Sequence, residues 1–341
     1  MPRFERSTHP GRLGPCNGPA CAFALPYTSR VPRIHPSAVI VGDANLADDV
    51  EIGPNCVLFG PITLGAGTVL IANVCLHGPL VMGERNIVYP AASIGFAPQD
   101  LGFDRDKPGA GCVIGSRNVF REGVTVHRGK TDQPTRIGDD NYWMAFSHAG
   151  HDSIIGNRNI FANSTLIGGH VEIADRVITG GNTGVHQFVR IGRGVFITGN
   201  AGTSLDVPPF VTVTATNLGG SLNIIGMRRS GMPREQIDTV RWVYRILMRS
   251  GLAPRAALAR LRERAGDPIV DEYIQFVESA KRPIIHGSGR ATRGTRGAPS
   301  GVAADDGDIA PETEGDIAPE IDAGARAPAD SPRRAGSGRR A

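Results

Sequence analysis

Residues 34–94 read IHPSAVIVGDANLADDVEIGPNCVLFGPITLGAGTVLIANVCLHGPLVMGERNIVYPAASI, and every sixth residue is apolar. The series is Ile34, Ile40, Leu46, Ile52, Leu58, Leu64, Leu70, Leu76, Met82, Val88 and Ile94. Glycine often follows, at Gly53, Gly65, Gly83 and Gly95. Neither the 3.6 period of an amphipathic helix nor the 2 period of a half-buried strand gives this pattern. A unit of six, with an inward apolar residue and a small one at the corner, is the repeat of a parallel β-helix. Three units make a triangular coil, and stacked coils bury the apolar column in a continuous interior.

The repeat restarts twice. Ile114, Phe120 and Val126 resume it, and Ile137, Trp143, Ala149, Ile155, Phe161, Ile167 and Ile173 follow in a new phase. Thr179, Val185, Ile191 and Ile197 close the run, with corner glycines at Gly115, Gly138, Gly156, Gly168 and Gly192. Known helices built from this repeat coil left-handed, against the usual crossover rule. By that resemblance the expected fold is a left-handed parallel β-helix.

The chain has 341 residues, and a solenoid grows by adding coils rather than by enlarging one core. A formal charge of +4 is small for this length and does not suggest a nucleic-acid binder. No long uncharged apolar run is present, so no transmembrane segment is expected. Pro, Gly and Arg interrupt residues 1–30, which lack the compact apolar core of a secretory signal. Cys16 and Cys21 have no second pair downstream and read as reduced thiols. Cys56, Cys75 and Cys112 fall inside the repeat as small buried or corner residues. This pattern suits the cytoplasm.

Four segments are expected. Residues 1–30 are a disordered extension, and 31–207 the β-helix. Two stretches break its period and should loop out, Phe96–Gly111 and Arg128–Arg136; insertions in solenoids commonly carry function. Pro208-Pro209 ends the repeat, because consecutive prolines cannot sit in a central strand. Residues 208–285 form a small helical domain. Val240, Val243, Tyr244, Leu247 and Met248 make an apolar stripe, Ala257, Leu258 and Leu261 a second helix, and Asp267-Pro268 opens a third. Residues 286–341 form a low-complexity tail with an imperfect GDIAPE duplication.

Candidate chemistry centres on His148, His151, His170 and His186. None occupies the inward column, which argues against burial as core histidines. His151 and His170 are nineteen residues apart (170 − 151), one eighteen-residue coil plus one, so neighbouring coils bring them to the same edge. Asp152 places a carboxylate beside His151, which can fix its tautomer and raise its basicity. The same histidines could instead form a solvated polar edge or a metal site.

The ordered set of motifs resembles one family. His148-Ala-Gly-His-Asp152, Gly168-Gly-His-Val171, Val185-His-Gln-Phe188 and Ala92-Ser-Ile-Gly95 with Gln99-Asp100-Leu101 are similar to the acyl-carrier-protein:UDP-N-acetylglucosamine O-acyltransferases of lipid A biosynthesis. Val126-His-Arg-Gly129 and Asp206-Val-Pro-Pro209 agree with it, and the resemblance covers roughly residues 31–285. It implies transfer of a 3-hydroxyacyl chain from acyl carrier protein to the glucosamine 3-hydroxyl, with no cofactor and no metal. By the same resemblance His151 is the general base, Asp152 its orienting partner, and the Gly169 N–H an oxyanion donor. Gln99, Asp100, His148, His170, His186 and Gln187 match positions lining the sugar and acyl cleft. Asn223 and Arg229 match nucleotide contacts. Gly199 matches the position that limits acyl length, where a glycine leaves room for a longer chain. The family is a homotrimer with active sites between subunits, and the same is expected here.

The chain departs from the family at three places. Gly102 stands where a basic residue is usual, Ile225 where an acidic one is, and Arg228-Arg229-Ser230 where a basic triplet is. These differences leave two acceptors open, the N-acetyl sugar and its 3-amino variant. An arginine-rich stretch (Arg234, Arg241, Arg245, Arg249, Arg255, Arg260 and Arg262) suits either a solvated helix surface or docking of the acidic carrier protein. A catalytically degenerate β-helical scaffold is the alternative from another functional class.

Overall fold

The structure, a computed structural model, describes residues 31–104 and 106–287. The disordered extension and tail expected at the termini, with Cys16 and Cys21, lie outside the described residues except for His286–Gly287.

Three sheets of 12, 9 and 8 strands wrap one interior, parallel throughout except for one antiparallel pair, Val211–Ala215 with Leu218–Leu222, near the end of the largest. In coils without an insertion each strand pairs with the strand eighteen positions away, as in Leu58↔Leu76 and Ile155↔Ile173. The two insertions lengthen that step, as in Ile87↔Val119 and Val119↔Tyr142. The period of six is therefore the length of one face, and the solenoid expectation holds. From Ile52 to Ile197 the column is buried throughout, and Thr179, its one polar member, is 2% exposed. Ile34, at the end of the stack, is 44% exposed because a coil covers it on one side only. Phe120, Trp143 and Phe161 stack inside on successive coils, with centroids 6.1 and 4.2 Å apart.

Polar residues two places before the column also point inward. Asn86, Asn118, Asn141 and Asn159 form a buried ladder at one corner. Each Oδ1 accepts the backbone N–H of the residue stacked on it, as from Asn118 to Asn86 at 2.9 Å and from Asn141 to Asn118 at 2.9 Å. Such bonds satisfy buried amides that the turning backbone leaves unpaired.

Both insertions leave from the same corner, between the nine-stranded and eight-stranded sheets. The first lies between the strands Ser93–Phe96 and Cys112–Ile114. The second is shorter than expected, since Thr135–Ile137 is already a strand paired with Cys112–Ile114. It therefore ends at Pro134, not Arg136.

The parallel ladder also runs past residue 207. Val207 bridges Ile191, and Val213 pairs with Ile197 beyond the double proline. The prolines occupy the corner, where no ladder N–H is needed. A hairpin, Val211–Ala215 and Leu218–Leu222, then leads into four helices: α1 Ile224–Arg229, α2 Arg234–Tyr244, α3 Pro254–Arg262 and α4 Pro268–Glu278. Sequence periodicity gives three of these and misses α1, which is too short to show a stripe. A π-helical turn, Arg245–Arg249, continues α2. Asp267 caps α4 by accepting the Ile269 N–H, and Pro268 occupies its first turn. Met227, Val240, Leu261, Val270 and Tyr273 form a second core. Arg190 ties α4 to the β-helix, donating to Phe276 O at 2.7 Å and Ser279 Oγ at 2.8 Å while paired with buried Asp206.

Candidate active site

His151 and Asp152 form the corner after the strand His148–Ala149, and Gly169 and His170 form the same corner one coil on. The second corner residue takes the left-handed conformation in each coil: Asp152 (φ 59°), His170 (φ 58°) and Phe188 (φ 65°). Aspartate tolerates this region, whereas Phe188, 49% exposed, is held there by its N–H bond to Gly169 O at 3.0 Å and its stack on His170. The result is a column of side chains along one edge. His170 lies edge-on to His151 with centroids 5.0 Å apart, and Phe188 stacks on His170 at 4.5 Å.

Asp152 is the most enclosed group of this cluster, with 4% of its side chain exposed. Its Oδ2 lies 2.6 Å from His151 Nδ1 and accepts the Lys130 N–H at 2.9 Å. Oδ1 accepts the Thr131 N–H at 2.9 Å and the Thr131 hydroxyl at 2.5 Å. Burial alone would push this carboxyl up. The hydrogen bonds from Thr131, His151 and Lys130 outweigh it and hold the carboxyl below its ordinary value. An ionised Asp152 can only accept, so His151 Nδ1 carries a proton, and in the neutral imidazole the lone pair lies on Nε2. Among the described residues nothing hydrogen-bonds to Nε2; the Asp100 carboxylate lies 4.0 Å from it.

The other histidines differ from His151. His148 Nδ1 lies 2.8 Å from Thr125 Oγ1, and burial, then the nearby His151, lowers its pKa. His127 sits edge-on to His148 at 5.0 Å and is 6% exposed; burial pulls its pKa down to about 4. His170 is lowered by burial, an effect Asp152 partly reverses. His151, Asp152 and His170 bring three possible donor atoms within 4.8 Å of one another. His151 Nδ1 and both Asp152 oxygens are already engaged in the hydrogen bonds above, so that set suits an oriented imidazole better than a cation.

A long groove opens from this edge, lined by Thr131, Asp152, His170, Phe188, Glu172 and Arg282 among others. It runs along the eight-stranded sheet to α4.

Comparison with known proteins shows the family. The family model described as UDP N-acetylglucosamine O-acyltransferase, domain 2, matches residues 206–285, and that of the bacterial transferase hexapeptide (six repeats) matches residues 134–169. The acyl-[acyl-carrier-protein]–UDP-N-acetylglucosamine O-acyltransferase of Stenotrophomonas maltophilia is 46% identical over 263 residues, covering 76% of this chain and 99% of its own. The chain belongs to the UDP-N-acetylglucosamine O-acyltransferase family. The counterpart from Pseudomonas syringae is 48% identical over 256 residues, covering 74% of this chain and 98% of its own. Among solved structures, the enzyme from Moraxella catarrhalis matches with a TM-score of 0.71 at 35% identity, covering 74% and 99% of the two chains. That from Francisella novicida matches with 0.73 at 33%, covering 75% and 95%.

Set on this acyltransferase frame, the residues singled out from the sequence fall into two groups. His151, Asp152, Gly169, His170 and Asp100 converge at one corner, with Asp100 brought there by the first insertion. Gln99 beside it is exposed. His186 and Gln187 occupy the same corner one coil further and are exposed; the His186 ring lies 3.1 Å from Gln187 O. Gly199 sits at a different corner, across the nine-stranded sheet. Asn223 caps α1: its Oδ1 accepts the Gly226 N–H at 2.9 Å and its Nδ2 donates to Gly194 O at 3.0 Å. Arg229 is exposed in the last turn of α1. Within this chain Gly199, Asn223 and Arg229 therefore stand apart from the histidine edge.

Lys130 and Thr131, which hold Asp152, do not stand out in the sequence. Their one signal is position, since they lie within the second break in the period.

Proposed function

We propose that the chain transfers a 3-hydroxyacyl group from acyl carrier protein to the 3-hydroxyl of UDP-N-acetylglucosamine, the first step of lipid A biosynthesis, with His151 as general base. The observation that carries this is the His151 pair: Nδ1–H fixed on an ionised Asp152 and Nε2 unengaged. In this reading the sugar hydroxyl gives its proton to Nε2 as its oxygen attacks the thioester carbonyl. The Gly169 N–H, which among the described residues donates to no backbone carbonyl, receives the developing oxyanion. Collapse breaks the C–S bond, and the thiolate leaves with the proton held by His151. Atoms balance without a covalent enzyme intermediate, metal or cofactor.

The relatives named for this reaction support the donor and acceptor. We infer a homotrimer, because an edge site open to a groove needs a second wall, and a neighbouring subunit would carry Gly199, Asn223 and Arg229 of its own to that wall. Free thiols at Cys56, Cys75 and Cys112 fit the reducing cytoplasm, and no described helix is long and apolar enough to cross a membrane. Arg228, Arg229, Arg234 and Arg255 make no ion pair among the described residues and offer charge to the acidic carrier, whereas Arg241, Arg260 and Arg262 are paired with Asp238, Glu263 and Glu278.

The test is acyl transfer from a panel of 3-hydroxyacyl carrier proteins to UDP-N-acetylglucosamine and to its 3-amino analogue. Wild type should acylate one of them and His151→Ala should lose about 10²–10⁴-fold. Transfer only to the amino sugar would correct the acceptor, and none to either would leave the scaffold reading.

A further inference from the structure

Position 102 is a glycine beside the site, and its open side faces a lysine. A Cβ on Gly102 would stand 3.3 Å from Asp100 Oδ1 and 3.6 Å from Lys130 Nζ. The two residues come from different insertions, stacked on consecutive coils. Lys130 Nζ donates to Asp100 Oδ2 at 2.7 Å, and the Lys130 backbone N–H donates to Asp152 Oδ2 at 2.9 Å. One residue thus grips both carboxylates that flank His151, one on its Nδ1 side and the other on its Nε2 side.

We propose that Lys130 is the positioning residue of the base: its ammonium, supplied from the second insertion where position 102 has no side chain, holds Asp100 away from His151 Nε2. The proposal rests on the general-base reading of His151. Asp100 Oδ2 is 4.0 Å from Nε2, close enough to close onto it once the competing ammonium is gone. An imidazole between two carboxylates is stabilised as imidazolium, with its second N–H donated to Asp100, and then has no lone pair for a sugar hydroxyl. Lys130 offsets this in two ways, by its charge and by occupying the Asp100 oxygen nearest the ring. The pair is about two-thirds shielded, with side chains 33% and 31% exposed, so solvent screens it only in part.

The charged and titratable groups around His151 set the background for any test. Asp152 adjoins it on its own corner, and His148 precedes it on the same coil. His170 faces it from the next coil and His127 from the previous one, while Asp100 and Lys130 reach it from the insertions. Of these only Lys130 has a side chain that is permanently cationic near neutral pH.

The experiment compares wild type with Lys130→Met, Lys130→Arg and the double variant Lys130→Met with Gly102→Lys. All retain the backbone N–H at position 130, and each is checked for an unchanged thermal midpoint. The first readout is the His151 imidazole titration followed by proton NMR, which needs no substrate. The second is the pH profile of kcat/KM. In Lys130→Met the His151 titration and the acidic limb of kcat/KM should both move up by about one pH unit, a roughly tenfold loss on the acid side of the limb that shrinks through neutral pH and is recovered in alkali. Lys130→Arg and the double variant should restore both, the latter by delivering the cation from the neighbouring loop. An unshifted His151 titration in Lys130→Met overturns the proposal, as does a loss of kcat/KM that is equal at every pH and not relieved by Gly102→Lys. Because the titration is read without substrate, failure of the acyl-transfer reading would show separately, as inactive wild type.

Discussion

Gly169 lies so close to His151 that a Cβ on it would stand 2.8 Å from Nε2 and 2.9 Å from Cε1. The glycine is required here for closeness, not for backbone freedom: it is the left-handed corner residue His170 that follows it. Gly169→Ala must push the imidazole off its Asp152 partner or strain the corner. We expect kcat to fall about 10- to 100-fold with the coil intact, since a displacement of that size misaligns a proton transfer. Gly181→Ala is the control, because its Cβ would meet nothing nearer than Asn163 O at 3.6 Å. Equal activity in Gly169→Ala and wild type would contradict this.

Acid should destabilise the fold through His127. Burial brings its pKa from the ordinary 6.5 down to about 4. Between these values the unfolded chain binds the proton more readily than the folded one, so stability falls as pH drops through that window. The penalty is absent above pH 6.5 and complete below about 4, where it reaches roughly 3 kcal/mol. His148, lowered for the same reason, adds in the same direction. Denaturant midpoints measured across this range should slope less in His127→Gln than in wild type; parallel curves would show that His127 is not responsible.

The junction of solenoid and helices depends on Asp206. It is 1% exposed, accepts the Arg190 N–H at 2.9 Å and the Arg190 Nε–H at 2.9 Å, and leaves the guanidinium aimed at α4. Asp206→Ala strips a part-buried cation of its counter-charge and should cost about 3–5 kcal/mol. Limited proteolysis should then release residues beyond the hairpin sooner than in wild type. Unchanged protection would mean that the Tyr273–Pro209 hydrogen bond and the Arg193–Glu272 pair suffice.

Gly199 should tolerate a side chain. It is exposed, its φ is not left-handed, and a Cβ would touch only Gly181, at 3.4 Å. Gly199→Met should therefore fold and keep its base, yet prefer a shorter acyl donor than wild type. Profiles across donors of graded chain length decide this, and an unchanged preference would remove Gly199 from the acyl pocket.

The solenoid was legible because its cause is local and repeated. Each face is six residues long, so water exclusion selects an apolar residue at every sixth place, and two phase slips are visible as breaks at Phe96 and at Arg128. The histidines' common edge followed from the same arithmetic, since eighteen residues return the chain to the same corner. The buried asparagine ladder escaped notice because its residues recur once per coil rather than once per face, and asparagine carries no apolar signal. Residue types at the inward column, and the coil on which each histidine sits, are thus set by sequence alone. What only the tertiary structure decided is how the two aperiodic insertions fold back: Asp100 toward Nε2, the Lys130 and Thr131 amides onto Asp152, and the Lys130 ammonium into the space left by Gly102. Those contacts join loops about thirty residues apart, where no period constrains the chain and each position is chosen by hydrogen bonding and charge across coils.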